Sequence, residues 1–402
     1  MPDEKPRILL AFSGGLDTTF CLVWLRETLG AEVLTATVDT GGFAPGELAA
    51  IEARAKALGA SRHVSIDAKA ALFDRFVRVL IQGNVLRGRV YPLSVSAERV
   101  LQAERVAELA KELGCAAVAH GSTAAGNDQV RFDGAFRALA PHLAIHAPIR
   151  ALGWPREKEA AWLAERGVEV PSRTAAYSVN AGLWGTTVGG RETHDPWLAV
   201  PESAFPAPPE GLALEPRDAV LGFAQGVPVS LDGRPSPGPD LVAALHALGR
   251  RYGLGRGVHL GDTILGIKGR VAFEAPAPLM LIAAHQELEK LVLTRWQGFW
   301  KNHLADFYGQ MLHEGLYYDP VMRDLEALIA SSQTRVTGEA RLRLAAGRFE
   351  VTGVRSPHSV MAAQAAAYGE STSLWDGAEA AGFSKLHALP MALALRSQEA
   401  AG

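Results

Sequence analysis

Five short apolar runs, at 7–11, 32–38, 61–65, 115–120 and 142–147, alternate with amphipathic stretches in the first third of the chain. Between 94 and 113, Val100, Leu101, Val106, Leu109, Ala110 and Leu113 recur at helical spacing. Strands separated by helices close into a parallel sheet covered on both faces. The expected class is therefore α/β, a doubly wound parallel sheet. A further helix opens at "GWPREKEAAWLAERG", with Pro155 suited to the first helical position and Gly167 to the C-terminal cap.

The texture changes after about residue 200. "FPAPPEGLALEP" and "LDGRPSPGPD" are dense in Pro and Gly and read as loops joining short strands such as "VPVSL". One long helical pattern covers 279–314 and stops at Gly315. The run 335–344 alternates strictly and, with "FEVTGV", reads as a β-hairpin, and the tail after about 371 reads as an Ala-rich helix. These shifts divide the 402 residues into an α/β domain (1–172), an α+β domain (173–368) and a C-terminal helical arm (369–402).

Charge and cysteine content narrow the function. Lys and Arg total 40 against 43 Asp and Glu, so the net charge of -3 gives no reason to expect a nucleic-acid or membrane partner. Only Cys21 and Cys115 occur, too few for a disulfide framework or a thiolate zinc site, which suits the reducing cytoplasm. No signal peptide and no apolar stretch of the roughly 18 residues that a bilayer demands is found. His120, His194 and His259 have no spacing that brings two onto one helix face, so metal binding by them is not expected.

Directly after the first strand stands "AFSGGLDTT", residues 11–19. A strand-to-helix turn exposes unpaired N–H groups at the positive end of the helix, where anions bind. Gly14 and Gly15 let the main chain approach a ligand, and Ser13, Thr18 and Thr19 supply hydroxyls for phosphate oxygens. Asp17 beside phosphate calls for a bridging Mg²⁺ or a role in capping the turn. A P-loop would need a Lys after its last Gly, a hydrolase elbow a Gly at Ala11, and a dinucleotide fold a third Gly; none is present. A second block, "AHGSTAAGNDQVRF" (119–132), follows another strand and so lies at the same carboxyl edge. Its Thr123, Asn127, Asp128 and Arg131 suit an amino-acid zwitterion.

"SGGLDT" resembles the pyrophosphate loop of the N-type ATP pyrophosphatases, which fold like the adenine nucleotide α-hydrolases and cleave ATP between its α and β phosphates. With "YPLSVSAER", "GNDQVRF", "YSVNAGLWG", "HDPW", "GVPVSLDG", "GLGRG", "LGIKGR", "VTGEARLRL" and "SPHS" in order, the chain resembles the argininosuccinate synthases over nearly its whole length. The resemblance implies a ligase that uses ATP and Mg²⁺ to join citrulline and aspartate, and a homotetramer. It implies ATP contacts at Ser13, Gly14, Gly15, Asp17, Thr18, Thr19, Thr37 and Gly121, and aspartate contacts at Thr123, Asn127 and Asp128. Citrulline would meet Tyr91, Ser96, Asn127, Arg131, Ser178, Thr187, Gly261 and Phe273, and Asp17, Arg99, Asp128 and Arg131 would serve catalysis, with Asp17 at the metal.

The departures concentrate on the citrulline site. Gly261 stands where the family carries a carboxylate, Phe273 where it carries a Tyr, and Thr187 where it carries a Ser. Asn180, Gly182, Ala125 and Val95 also differ from the usual Asp, Asn, Lys and Thr. Either these changes are drift within an ordinary synthase, or the acceptor is a different ureido, amide or carboxylate compound. A tRNA-thiolating enzyme would share the loop but commonly needs paired cysteines and a basic face, and a non-catalytic ATP-binding relative would lack aspartate-dependent pyrophosphate release.

Overall fold

A computed structural model describes residues 5–169, 177–205, 211–213, 215–363 and 373–400. The expected domain junctions at 172/173 and 368/369 lie outside the described residues. The chain forms two compact units, one ending at Pro357 and one beginning at His358.

In the first unit, β1 (Arg7–Ala11), β2 (Glu32–Asp39), β3 (Arg62–Asp67), β4 (Ala117–Ala119) and β5 (Ala144–His146) build a sheet ordered β3-β2-β1-β4-β5. All neighbouring pairs are parallel. Alternation along β1 accounts for the two covered faces. Leu9 enters one core with Leu34 and Leu101, whereas Ile8 and Leu10 enter another with Phe20 and Leu25. The five apolar runs thus become the five strands, as the doubly wound reading requires. The strand order reverses between β1 and β4, and the carboxyl edge there opens the crevice in which the site lies.

Two antiparallel sheets follow. β6 (Tyr177–Gly182), β7 (Gly185–Gly190), β11 (Arg256–Asp262) and β12 (Lys268–Glu274) form one, ordered β11-β12-β7-β6. β8 (Arg217–Ala224), β9 (Val227–Leu231), β10 (Arg234–Pro235), β13 (Gly338–Ala345) and β14 (Arg348–Arg355) form the other, ordered β10-β9-β8-β13-β14. The expected hairpin is β13 and β14, and β13 also pairs with β8, more than a hundred residues away.

The helical pattern over 279–314 is two helices, Pro276–Val292 and Arg295–His313, a correction to the single helix expected. Leu293 and Thr294 are extended between them. Thr294 restarts the helix with a capping box, its Oγ1 accepting from the Gln297 N–H while Gln297 Oε1 accepts from the Thr294 N–H at 3.0 Å. Pro155 is the cap residue preceding the helix Arg156–Ala164, one position earlier than expected, and Gly167 takes φ +69° just past its end. In the second unit the helix Gly377–Glu399 is capped by Asp376 and Glu379.

Candidate active site

A cleft of about 1190 Å³ opens at the carboxyl edge of the parallel sheet. Its first wall is the glycine turn. Gly15 is the N-cap of the helix Leu16–Thr28, and no side chain caps the first-turn N–H groups, which leaves them for a ligand. Gly14 has φ +74°, and a Cβ there would lie 3.3 Å from Ile51. Only glycine holds that turn without strain. Thr18 Oγ1 lies 3.2 Å from Ser13 Oγ and accepts from the Ser13 N–H at 3.3 Å, so the two hydroxyls sit together. Gly121 packs on the start of the same helix, where a Cβ would come 3.2 Å from Thr18.

The second wall is the loop after β4. His120 is buried and ties this loop down: the Ser122 N–H donates to Nδ1, and Nε2 donates to Asp133 at 2.9 Å. Asn127 Oδ1 accepts from the Ile264 N–H at 2.9 Å, which links the loop to the β11–β12 turn. At the start of the helix Asp128–Leu139, Asp128 is gripped from both sides. Arg99 Nε donates to Oδ2 and Arg131 Nη1 to Oδ1, each at 2.9 Å. Burial opposes ionisation of this carboxyl, but the two guanidinium groups outweigh it and hold it below the ordinary carboxylate value. Arg99 reaches on to Asn180 Oδ1 at 2.6 Å, and Arg131 to the His313 carbonyl.

The third wall comes from β6, β7 and β11, carrying Ser178, Thr187 and Gly261 into the cleft opposite Tyr91 and Ser96. Ser96 Oγ is buried without a partner, a hydroxyl left for a bound molecule. Of the site residues that the resemblance implies, all but Thr19 and Phe273 line this one cleft. Thr19 is fully buried and accepts from Arg54 Nε, backing the glycine turn. Phe273 is 2 % exposed and lies behind Tyr91, ring centroids 5.4 Å apart. Thr37 lines the cleft while its hydroxyl donates to the Phe12 carbonyl at 2.6 Å.

Glu159, Arg156 and Glu98 escaped the sequence reading. Glu159 is buried beside Asp17, and burial together with that neighbour pushes its carboxyl up to about 7. Asp17 itself is raised, by burial against the pull of Arg156, and its Oδ1 has no hydrogen-bond partner. The i, i+3 spacing of Arg156 and Glu159 placed both on one helical turn, but nothing in sequence showed which helix end that turn would meet. Glu98, fully buried behind Arg99, is pushed up to about 8 by desolvation. A Cβ on Gly182 would overlap the Glu98 carboxyl, so the small residue at 182 makes room for it.

Asp17 fits a nucleotide-borne Mg²⁺: beside a phosphate-sized turn its buried Oδ1 has no hydrogen bond and only the Arg156 guanidinium at 3.7 Å, and phosphates and water would supply the rest of the ion's ligands. Among the described residues no group of three His, Cys, Asp or Glu is arranged to hold a metal ion without a nucleotide. Cys21 is buried, with its thiol pushed up by desolvation, and Cys115 is raised for the same reason.

Comparison with known proteins identifies the family. Residues 7–169 match the arginosuccinate synthase N-terminal HUP domain, and residues 177–394 match the arginosuccinate synthase C-terminal domain. The chain is 42 % identical over 393 residues to argininosuccinate synthase of Xanthomonas campestris, covering 96 % of this chain and 97 % of that protein. It is 36 % identical over 382 residues to the enzyme of the same name from Methanocaldococcus jannaschii, covering 95 % and 96 %. With that of Saccharolobus solfataricus the identity is 37 % over 362 residues, covering 90 % and 92 %.

Proposed function

The chain belongs to the argininosuccinate synthase family, and from that premise we propose that it joins aspartate to citrulline at the expense of ATP, releasing AMP and pyrophosphate in arginine biosynthesis. The observation that carries the proposal is the convergence of the glycine turn, the Asp128 loop and the β6–β7–β11 wall on one cleft.

ATP lies with its β and γ phosphates against Gly14, Gly15 and the hydroxyls of Ser13 and Thr18, which leaves the α-phosphorus facing the rest of the cleft. Asp17 would hold Mg²⁺ brought by the nucleotide, and such an ion would supply charge compensation on the phosphates. The citrulline ureido oxygen attacks the α-phosphorus, the bond to the β-phosphate oxygen breaks, and pyrophosphate leaves. The aspartate amine then attacks the ureido carbon, AMP departs with the oxygen, and one proton is lost from the new nitrogen. Thr123 and Asn127 bind aspartate, while Arg99 and Arg131 fix Asp128 between the two amino acids. Tyr91, Ser96, Ser178 and Thr187 hold citrulline. The buried cysteines take no part, and positioning with charge compensation does the work of catalysis.

Aspartate- and citrulline-dependent pyrophosphate release, with ¹⁸O passing from the ureido group into AMP, tests the scheme. ADP and orthophosphate as products would refute it. Screening ureido, amide and carboxylate acceptors in the same assay separates citrulline from the alternatives. The domain division at 172/173 and 368/369 belongs to this reading, as do a cytoplasmic location and a homotetramer. The helix Gly377–Glu399 exposes Phe383, Leu386, Met391, Leu393 and Leu395, apolar surface spread around the helix and suited to a neighbouring subunit. No described helix is long and apolar enough to cross a membrane. Light scattering of the full chain against one truncated at 372 measures the assembly, and an unchanged mass would remove the arm from that role.

A further inference from the structure

Resting on the reading of the glycine turn as the seat of the ATP β and γ phosphates, we propose that Arg156 is a further catalytic residue, its guanidinium donating to those phosphates and holding the pyrophosphate as it leaves.

The turn has no cation of its own, since residues 11–19 contain neither Lys nor Arg. A triphosphate carries more negative charge than one divalent ion neutralises, so its departing end calls for a positive side chain. Of the described residues, six arginines line the cleft. Five are committed within the protein: Arg54 donates to Thr19 and the Glu169 carbonyl, Arg87 to the Asp262 carbonyl, Arg99 and Arg131 to Asp128, and Arg270 to the Glu192 carbonyl. Arg156 is the sixth. Among the described residues its guanidinium makes no hydrogen bond, and its one ion pair, Nη2 to Asp17 Oδ1 at 3.7 Å, is beyond hydrogen-bond length. The side chain is 41 % exposed, with all its N–H donors free for a ligand.

Aromatic packing brings this arginine to the turn. Arg156 opens the helix Arg156–Ala164, and Trp154 just before that helix and Trp162 within it both pack on Phe20 of the helix Leu16–Thr28, with ring centroids 5.5 and 5.0 Å away. The first turns of the two helices are thereby set side by side, and Arg156 meets Asp17, two residues past Gly15. Asp17 keeps the guanidinium at the turn without tying it, because so long and exposed an ion pair binds weakly and yields to phosphate oxygens, which accept bidentate hydrogen bonds. When the citrulline oxygen attacks, the bond from the α-phosphorus to the bridging oxygen breaks and its electron pair passes to that oxygen, now terminal on pyrophosphate. Arg156 stands at the end of the cleft where this charge grows, so it stabilises the transition state as well as bound ATP.

Calorimetric titration of the full chain with magnesium pyrophosphate and with AMP, beside steady-state pyrophosphate release, tests the assignment. Arg156→Gln removes the charge and keeps a polar side chain. Its pyrophosphate Kd should rise about 10- to 100-fold, the span expected for hydrogen bonds to a charged group, while that of AMP, which lacks both phosphates, stays within about threefold. The kcat should fall together with kcat/KM for ATP, the citrulline and aspartate KM values should stay within about threefold, and Arg156→Lys, a point charge without the planar fork, should recover part of the loss. In an Asp17→Asn background Arg156→Gln should still weaken pyrophosphate binding by a similar factor. A loss seen only with Asp17 present would mean that the guanidinium does no more than screen that carboxylate, and would overturn the assignment. An unchanged pyrophosphate Kd in Arg156→Gln, or an equal loss of AMP affinity, would overturn it as well, and each of these results leaves the ligase reading intact. Wild-type protein that neither binds pyrophosphate nor releases it from ATP overturns both.

Discussion

Asp128→Asn tests the centre of the site. The substitution keeps the shape of a carboxylate that receives two hydrogen bonds of 2.9 Å, one from Arg99 and one from Arg131, and removes its charge. The amide can accept from one arginine only and turns an N–H₂ toward the other. Breaking a buried ion pair from one side costs about 3–5 kcal/mol, because the remaining charges stay desolvated. Two features lower that figure here. The Asp128 side chain is 33 % exposed to the cleft, and both arginines keep other partners, Gln102 and Asn180 for Arg99 and the His313 carbonyl for Arg131. The expected loss is therefore about 2–3 kcal/mol, read as a lower urea midpoint at unchanged slope. The folded pKa of Asp128 lies below its unfolded value, so its contribution is complete above the unfolded value near 3.9 and disappears as pH falls through the folded one. Wild-type protein should lose that stability below about pH 4, and the variant should lack that loss. In kinetics the aspartate KM should rise at least about tenfold while the ATP KM moves little. A variant with the wild-type midpoint and the wild-type aspartate KM would refute the reasoning.

Further expectations are separable from this one. Gly14→Val forces a β-branched residue to φ +74° against Ile51, and should raise the ATP KM more than about tenfold with an unchanged far-ultraviolet spectrum; unaltered ATP use would disprove the phosphate turn. Glu159 has its folded pKa raised to about 7, so its stabilising share is present below the unfolded value near 4.3 and fades as pH rises through 7. Glu159→Gln should flatten the fall in stability across that window, and an identical pH profile would exclude the group. Thr294→Ala removes the cap that separates the two long helices and should cost about 1 kcal/mol in urea unfolding without touching kcat, so a loss of activity would mean the break positions the site.

Some of this molecule follows from local sequence. Alternation and spacing gave the five parallel strands, the strand-to-helix glycine turn and the β13–β14 hairpin, because each depends on periodicity or on backbone freedom within a few residues. The break at Thr294 was also written locally, in the run Thr-Arg-Trp-Gln, but the apolar period continues across it and hides it. Residue types in the second block announced an amino-acid site without showing that both Asp128 oxygens are taken by arginines 29 and 3 residues away.

The sequence alone determined that the glycine turn and the Asp128 loop share one sheet edge, since strand polarity fixes the end at which both must emerge. Only the tertiary structure decided what lines the far wall of the cleft. The pairing of β12 with β7 carries residues from 177–190 and 256–274 into the cleft, seats Phe273 behind Tyr91, and turns His259 into the space that Gly261 leaves. Those contacts join residues separated by up to 182 positions, and side-chain burial, which sets the protonation of Glu98, Glu159 and His259, arises from neighbours that no local pattern names.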